Sequence, residues 1–134
     1  MANDLSNSLK VAKATYNFAT VGGAVSTITL PGSDIIPSGA IIQDVVIDCT
    51  TACTTSAGAT IAVTGGGLTL AGSTPIAVAA APFTGGTVGR VGAAGVITTG
   101  YVVQKATSSA AMQVVIGTGA VTAGAFTVYV YYTV

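Results

Sequence analysis

The chain has 134 residues, of which 6% are charged and 51% are hydrophobic, and its formal net charge is zero. Four scattered cations cannot form the basic stripe that binds phosphates, so the composition argues against a nucleic-acid partner. The sequence contains no histidine, which excludes Ser-His-Asp and Cys-His catalysis together with histidine-ligated metals.

The length of the chain predicts one domain. The first eight residues, MANDLSNS, are polar and lack periodicity, so we expect a flexible arm over residues 1–8 and a single domain over 9–134. This start has no apolar segment typical of an export signal, which predicts synthesis in the cytoplasm. Apolar runs are far shorter than the roughly 20 residues of a membrane-spanning helix, so no membrane partner is expected.

Helical periodicity is nearly absent, whereas β-branched residues, glycine and threonine recur, which predicts an all-β fold. Turn signals such as PGSD at residue 31 and GTG at residue 117 separate eight to nine segments. Strands at this spacing predict two packed antiparallel sheets or a closed barrel. The predicted strands, in chain order, cover residues 9–19, 24–30, 40–49, 59–64, 76–80, 95–99, 101–105, 112–116 and 125–134.

Alternation assigns the faces of two predicted strands, because successive side chains of a strand point to opposite sides of its sheet. In AIIQDVVIDC, Asp44 and Asp48 are expected to point outward. The core face of that strand consists of Ile41, Val45, Ile47 and Cys49. In the last strand, the predicted core face consists of Phe126, Val128, Val130, Tyr132 and Val134, and the opposite face of Thr127, Tyr129, Tyr131 and Thr133.

Four of the eight aromatic residues lie in the final nine residues, FTVYVYYTV. The tyrosines of the second face suit either contact with a partner or ordinary cross-strand packing on a solvated face. Tyr16 and Phe18 share a face of the first predicted strand, which we expect to pair with the last. The candidate interface residues are therefore Tyr16, Phe18, Tyr129 and Tyr131.

Cys49 and Cys53 lie four residues apart in DCTTACTT. A disulfide at a hairpin tip fits this spacing, and two buried thiols fit a protein made in a reducing compartment, so both alternatives stay open. Two cysteines without histidine cannot complete the four ligands of zinc. No metal or other cofactor is expected.

Other catalytic patterns are also missing. Asp44 and Asp48 are roughly 13 Å apart along a strand, farther than the carboxylate pair of a glycosidase. The glycine-rich segments, such as VTGGGLTLAG, lack the Lys-Ser/Thr ending of a phosphate-binding loop. We therefore expect no enzymatic activity.

The order of segments resembles the small jelly-roll structural proteins of tailed bacteriophage virions. It runs from KVAKATYNFATVGGAVSTITLPGSDIIPSGAIIQDVVIDCTTACTTSAGATIAV through a Gly/Ala/Thr-rich middle to TVYVYYTV, and LPGSDIIPSGAIIQDVVIDC is its most characteristic part. The resemblance implies a jelly-roll β-sandwich and a capsid decoration, or cement, protein. Such a protein binds the outer surface of the phage head, clamps neighbouring major capsid protein subunits, and assembles as a homo-oligomer, commonly a trimer.

The alternative is a receptor- or carbohydrate-binding module of a phage fibre or tail, where exposed tyrosines would stack on sugar rings. The chain has no tryptophan and few Asn, Gln or Asp side chains to bind sugar hydroxyls. The composition therefore favours the cement protein.

Overall fold

The computed structural model describes residues 8–70, 76–79, 82–85, 87–90 and 104–134. The arm predicted over residues 1–8 lies outside these ranges except for Ser8, as do the strand predicted over 95–99 and most of that over 101–105. In chain order the elements are β1 (Lys10–Asn17), α1 (Phe18–Val21), β2 (Thr27–Thr29), β3 (Ile35–Ile36), β4 (Ile41–Thr55), β5 (Thr60–Gly65), β6 (Leu68–Thr69), β7 (Ile76–Ala77), β8 (Thr87–Arg90), β9 (Gln104–Lys105), β10 (Ala110–Ala111), β11 (Gln113–Gly117) and β12 (Val121–Thr133).

The first sheet has the strand order β1-β12-β4-β8, and β9 also pairs with β4. All of these pairs are antiparallel. The whole of β1 pairs with β12, from Lys10 opposite Tyr132 to Asn17 opposite Ala125. The predicted pairing of the first and last strands is thus confirmed, and β12 lies between two neighbours that hold it in place.

The second sheet has the order β2-β11-β5-β6, with β7 also pairing with β5, and a short ladder joins β10 to β3. The two sheets enclose one continuous hydrophobic core to which both contribute. Its members include Val128 and Val130 from β12, Val114 from β11 and Ile61 from β5, each at most 1% exposed. The predicted all-β, jelly-roll-like antiparallel sandwich is confirmed.

The strict alternation of β12 explains its position. Phe126, Val128, Val130 and Tyr132 are buried while the intervening residues are half-buried, as the sequence predicts. Burial of each such side chain stabilises the fold by about 1.5–3 kcal/mol. Val134 was assigned to the core face but is 52% exposed, because it follows the last paired residue of the strand.

The first strand is shorter than predicted, because the chain turns into α1 after Asn17. The Asn17 side chain accepts a hydrogen bond from the Ala19 N–H at 3.0 Å and so caps this helical turn. Phe18 therefore does not share a face of β1 with Tyr16, as we expected, but begins the turn. In the described part of the chain, no helix is long and apolar enough to cross a membrane.

β4 is longer and less regular than predicted. Tyr131 lies opposite Asp44 but Tyr132 lies opposite Ile42, so Gln43 is an extra residue in β4. On the N-terminal side of this bulge, the side chains point to the faces opposite to those that the alternation predicts. Ile42 is fully buried and Ile41 is 40% exposed. The assignment of Ile41 to the core face was therefore wrong.

The segment DCTTACTT does not form a hairpin tip, because β4 continues through it to Thr55. The prediction placed the end of this strand at Cys49. The continuation pairs with the beginning of β12, where further register shifts occur. The two cysteines consequently lie on one strand.

A loop residue covers part of the free edge of the first sheet. The Lys13 N–H donates to the Asp34 carboxylate at 2.9 Å, and the Asp34 N–H donates to the Lys13 carbonyl at 3.0 Å. Asp34 thus occupies the position of a strand partner beside the middle of β1. Edge strands whose backbone groups are satisfied in this way are protected from pairing with other chains.

Candidate functional site on the outer face of the first sheet

The side of the first sheet that points away from the core is here called the outer face. Its side chains alternate with core residues along β1, β12 and β4, and residues opposite each other in the register share this face. They are Leu9, Val11, Lys13, Thr15, Ile41, Asp44, Val46, Asp48, Thr127, Tyr129, Tyr131 and Thr133. Asp44, Asp48, Tyr129 and Tyr131 lie on the side that the sequence predicts.

One end of the outer face is apolar and exposed. Among the described residues, six large hydrophobic side chains are strongly exposed. Four of them lie where β1 and β4 begin and β12 ends. Leu9, Val11 and Ile41 lie on the outer face itself, and Val134 follows the last residue of β12 at the same end; their exposed fractions are between 40% and 60%. An apolar cluster of this kind is typical of a surface that contacts another molecule.

A shallow open depression of about 690 Å³ lies in the same region. Its lining combines apolar and polar side chains. They are Leu9, Gln43, Asp44, Val46 and Tyr131. The extra residue Gln43 donates to the Thr133 hydroxyl at 3.3 Å, so the β4 bulge shapes one wall of the depression.

The character of the outer face changes along β12. Tyr131 has Val11 and Asp44 as its cross-strand neighbours, whereas Thr127 has Thr15 and Asp48. Between these rows the Lys13 ammonium lies 5.8 Å from the centre of the Tyr129 ring, a cation–π contact. The face therefore runs from an apolar end, through an aromatic centre, to a polar end.

Only two of the four candidate interface residues lie on the outer face. Tyr129 and Tyr131 are there and are half-buried. Tyr16 is fully buried, and its hydroxyl donates to the Gly22 carbonyl at 2.8 Å. Phe18 is half-buried and packs against the core. Tyr16 thus supports the interior and cannot contact a partner of the folded chain.

Burial also changes the acidity of Tyr16. Removal of its hydroxyl from water raises the pKa of Tyr16 to about 12, with a smaller contribution from the neighbouring Cys53. The neutral phenol is the form that fits this environment.

Both cysteines are buried and carry free thiols in this structure. The Cys49 thiol donates to the Thr51 carbonyl at 3.3 Å. Burial, the nearby Cys49 and a hydrogen bond with it raise the pKa of Cys53 to about 12. The disulfide between them stays a prediction. In the ranges that the structure describes, no three His, Cys, Asp or Glu side chains come together in a way that could hold a metal ion.

The sequence prediction missed Leu9, Val11 and Val46 as surface residues. The signal for Val11 was present in KVAKATY, where Ala12, Ala14 and Tyr16 alternate with it and face the core. Val46 lies between two core residues, Val45 and Ile47. Its outward direction follows only from Asp44 and Asp48, each two residues away and therefore on the same side of the strand. The signal in both cases is an apolar residue at a strand position whose side chain points away from the core.

The fold and this face define a class: a small jelly-roll-like sandwich with an apolar and aromatic outer face. No protein-family model matches the chain, and no curated protein sequence matches it. Among solved structures, the chain is similar to a chain of the capsid asymmetric unit of cyanophage Pam1, with a TM-score of 0.65 and 17% identity over 100% of this chain and 90% of that one.

It is also similar to a chain of the acid-stable capsid structure of Helicobacter pylori bacteriophage KHP30. The TM-score is 0.58 and the identity is 14%, over 96% of this chain and 90% of that one. At these identities the likeness shows a shared fold.

Proposed function

We propose that the protein is a non-enzymatic structural component of a phage virion, a decoration or cement protein on the outer surface of the head. In this role it stabilises contacts between major capsid protein subunits. The observation that carries the proposal is the match of the whole fold to chains from two phage capsids. The proposal agrees with the resemblance inferred from the sequence.

The extent of these matches supports an accessory role. Each alignment covers 90% of the capsid chain, so those chains are also single small sandwiches without a large additional domain. A sandwich of this size has ample surface for clamping neighbouring subunits. A standard interface buries about 1,600 Å², and repetition over a lattice multiplies a modest affinity into a strong one.

The outer face is the proposed contact surface for the major capsid protein. Tyr129 and Tyr131 supply aromatic anchors, and Leu9 and Val11 supply exposed apolar area beside them. Interface centres are enriched in tyrosine, which matches the aromatic part of this face. Lys13 is already held against Tyr129, so less ordering is required when a partner binds.

We further propose that the protein assembles as a homo-oligomer, with a trimer favoured, as the resemblance implies. The chain has four cationic and four anionic side chains and no net charge. Copies brought together on a shell would therefore experience little electrostatic repulsion.

Binding to undecorated phage heads tests the function. Purified protein added to heads that lack it is expected to bind saturably, to appear as extra density outside the shell, and to raise the temperature at which the heads open. Heads already saturated with the protein are the matched control. Failure to bind the undecorated heads in both mixing and co-assembly would contradict the proposal.

A receptor- or carbohydrate-binding role on a phage fibre or tail is the second candidate. The depression that places Tyr131 beside Gln43 and Asp44 favours it, because sugars bind to an aromatic ring flanked by amide and carboxylate groups. Binding to host cells or to a glycan array, without binding to heads, would establish this role in place of the first.

A further inference from the structure

The pairing of β4 with β12 is compressed around the two cysteines. Cys49 lies opposite Phe126, Thr51 opposite Ala125 and Thr54 opposite Ala123. From Cys49 to Thr54, β4 therefore advances five residues while β12 advances three. β4 thus has two more residues than β12 in this interval, which makes it a double bulge.

The double bulge brings the two sulfur atoms together. In a regular strand, residues four apart would be about 13 Å apart. Here residues 50–52 are exposed, whereas Cys49 and Cys53 are 0% and 6% exposed and point into the same part of the core. The neighbouring Cys49 contributes to the raised pKa of the Cys53 thiol, as expected for two sulfur atoms that lie close together.

The surroundings hold this arrangement in place. The Cys53 N–H donates to the Phe83 carbonyl at 2.9 Å, which fixes the backbone on one side. On the other side lies Gly124, where an added Cβ would be 2.5 Å from the Cys53 sulfur. The Cys53 side chain thus packs directly on the backbone of β12, which limits its movement away from Cys49.

We propose that Cys49 and Cys53 form an intramolecular disulfide across the double bulge when the folded protein meets a small two-electron oxidant of the peroxide class. The double bulge, which places both cysteines in the core, and the enclosure of their side chains carry the inference, which goes beyond the proposed function and does not depend on it. A peroxide molecule is only slightly larger than water, so it can reach a site that excludes larger oxidants.

The reaction balances without another partner. The Cys49 sulfur attacks a peroxide oxygen, the O–O bond breaks, and the departing hydroxide takes up the Cys49 proton as water. The Cys53 sulfur then attacks the Cys49 sulfur, the S–O bond breaks, and the second hydroxide takes up the Cys53 proton. Two thiols are oxidised to one disulfide, and one peroxide is reduced to two waters.

Either sulfur can attack first, and the product is the same. Burial and the neighbouring sulfur raise the pKa of Cys53 to about 12, and a thiol is a much weaker nucleophile than a thiolate, so the reaction is expected to be slow. The resulting bond would close a short loop and lock the double bulge.

Intact mass spectrometry of the folded, reduced chain treated with hydrogen peroxide tests the proposal. The mass is expected to fall by two hydrogen atoms, and a non-reducing peptide map is expected to join Cys49 to Cys53. Treatment with a thiol reductant should restore the original mass. The Cys49→Ser and Cys53→Ser variants are matched controls that cannot lose two hydrogens within one molecule.

The wild-type result decides the matter even if a variant fails to fold. Retention of both free thiols after prolonged exposure to peroxide would overturn the proposal. Uptake of oxygen without an S–S bond, or cross-linking between molecules, would also overturn it. A disulfide that forms only in denaturant would show that the native double bulge does not bring the sulfurs close enough.

Discussion

Tyr16 of the first strand stacks on Phe126 of the last strand, with ring centres 4.9 Å apart and planes inclined by 23°. The two residues are also direct partners in the register of β1 and β12. Phe83 adds a third ring, 5.1 Å from Phe126. This aromatic cluster holds the first and last strands together within the core.

The hydroxyl of Tyr16 gives the first prediction. Tyr16→Phe keeps the stacked ring but removes the hydrogen bond to the Gly22 carbonyl. We expect the free energy of unfolding to fall by about 1 kcal/mol, measured by denaturant titration. Tyr129→Phe on the outer face is the control and should change stability much less. Equal effects of the two substitutions would contradict the role of this hydrogen bond.

Stability is expected to fall in alkaline solution. The pKa of Tyr16 rises from 10.0 to about 12 and that of Cys53 from 9.0 to about 12, so the folded state keeps protons that the unfolded state loses. The stabilisation is complete below about pH 9 and is lost as the pH rises toward about 12. Denaturant titrations across this range should show the decline, and Tyr16→Phe should make it shallower. A flat profile in the wild type would contradict the pKa directions.

Gly124 tests the close approach of β4 and β12. Its φ is 132°, and an added Cβ would lie 2.6 Å from the Cys53 Cα. Gly124→Ala is expected to cost more than about 3 kcal/mol of unfolding free energy, because the backbone cannot yield easily. Gly58→Ala is the matched control, with a φ of 70° and no atom within 4 Å of the added Cβ, and should cost about 1 kcal/mol. Similar losses of unfolding free energy in the two variants would show that the backbone around Cys53 moves to accommodate the added methyl group.

The outer face gives a prediction about binding. Replacement of both Tyr129 and Tyr131 by serine should leave the fold intact, since both side chains point away from the core. We expect the affinity for undecorated heads to fall at least about tenfold, measured by co-sedimentation, because aromatic anchors dominate interface energies. The control is the replacement of both Val25 and Ile35 by serine, because these two residues are exposed but do not belong to the outer face. Unchanged binding of the tyrosine variant would place the interface on another surface.

Local pattern predicts most of the strands and their faces. The alternation of β12 identifies its buried residues because the strand pairs without interruption from Phe126 to Tyr131. The same reasoning fails for Ile41, where an extra residue opposite Tyr131 and Tyr132 shifts the phase. A bulge depends on a partner strand some ninety residues away along the chain, so it leaves no signal in local sequence.

The candidate site was predicted in part for a related reason. Tyr129 and Tyr131 were found because regular alternation continues around them. Tyr16 was misplaced because a tyrosine suits either a surface or a buried site with a hydrogen-bond acceptor. The Gly22 carbonyl reaches the Tyr16 hydroxyl only because α1 turns the chain back after Asn17. A single helical turn of four residues is too short to show helical periodicity in the sequence.

The paired hydrogen bonds between Asp34 and the backbone of Lys13 affect how two copies of the chain can meet. A chain with so little charge has little electrostatic repulsion to keep the sheets of two copies from joining edge to edge. One carboxylate and one amide of a loop fill the place that a neighbour's strand would take. At this part of β1 the backbone groups are therefore not available to an added strand, and only side-chain surfaces are left for contact with another molecule.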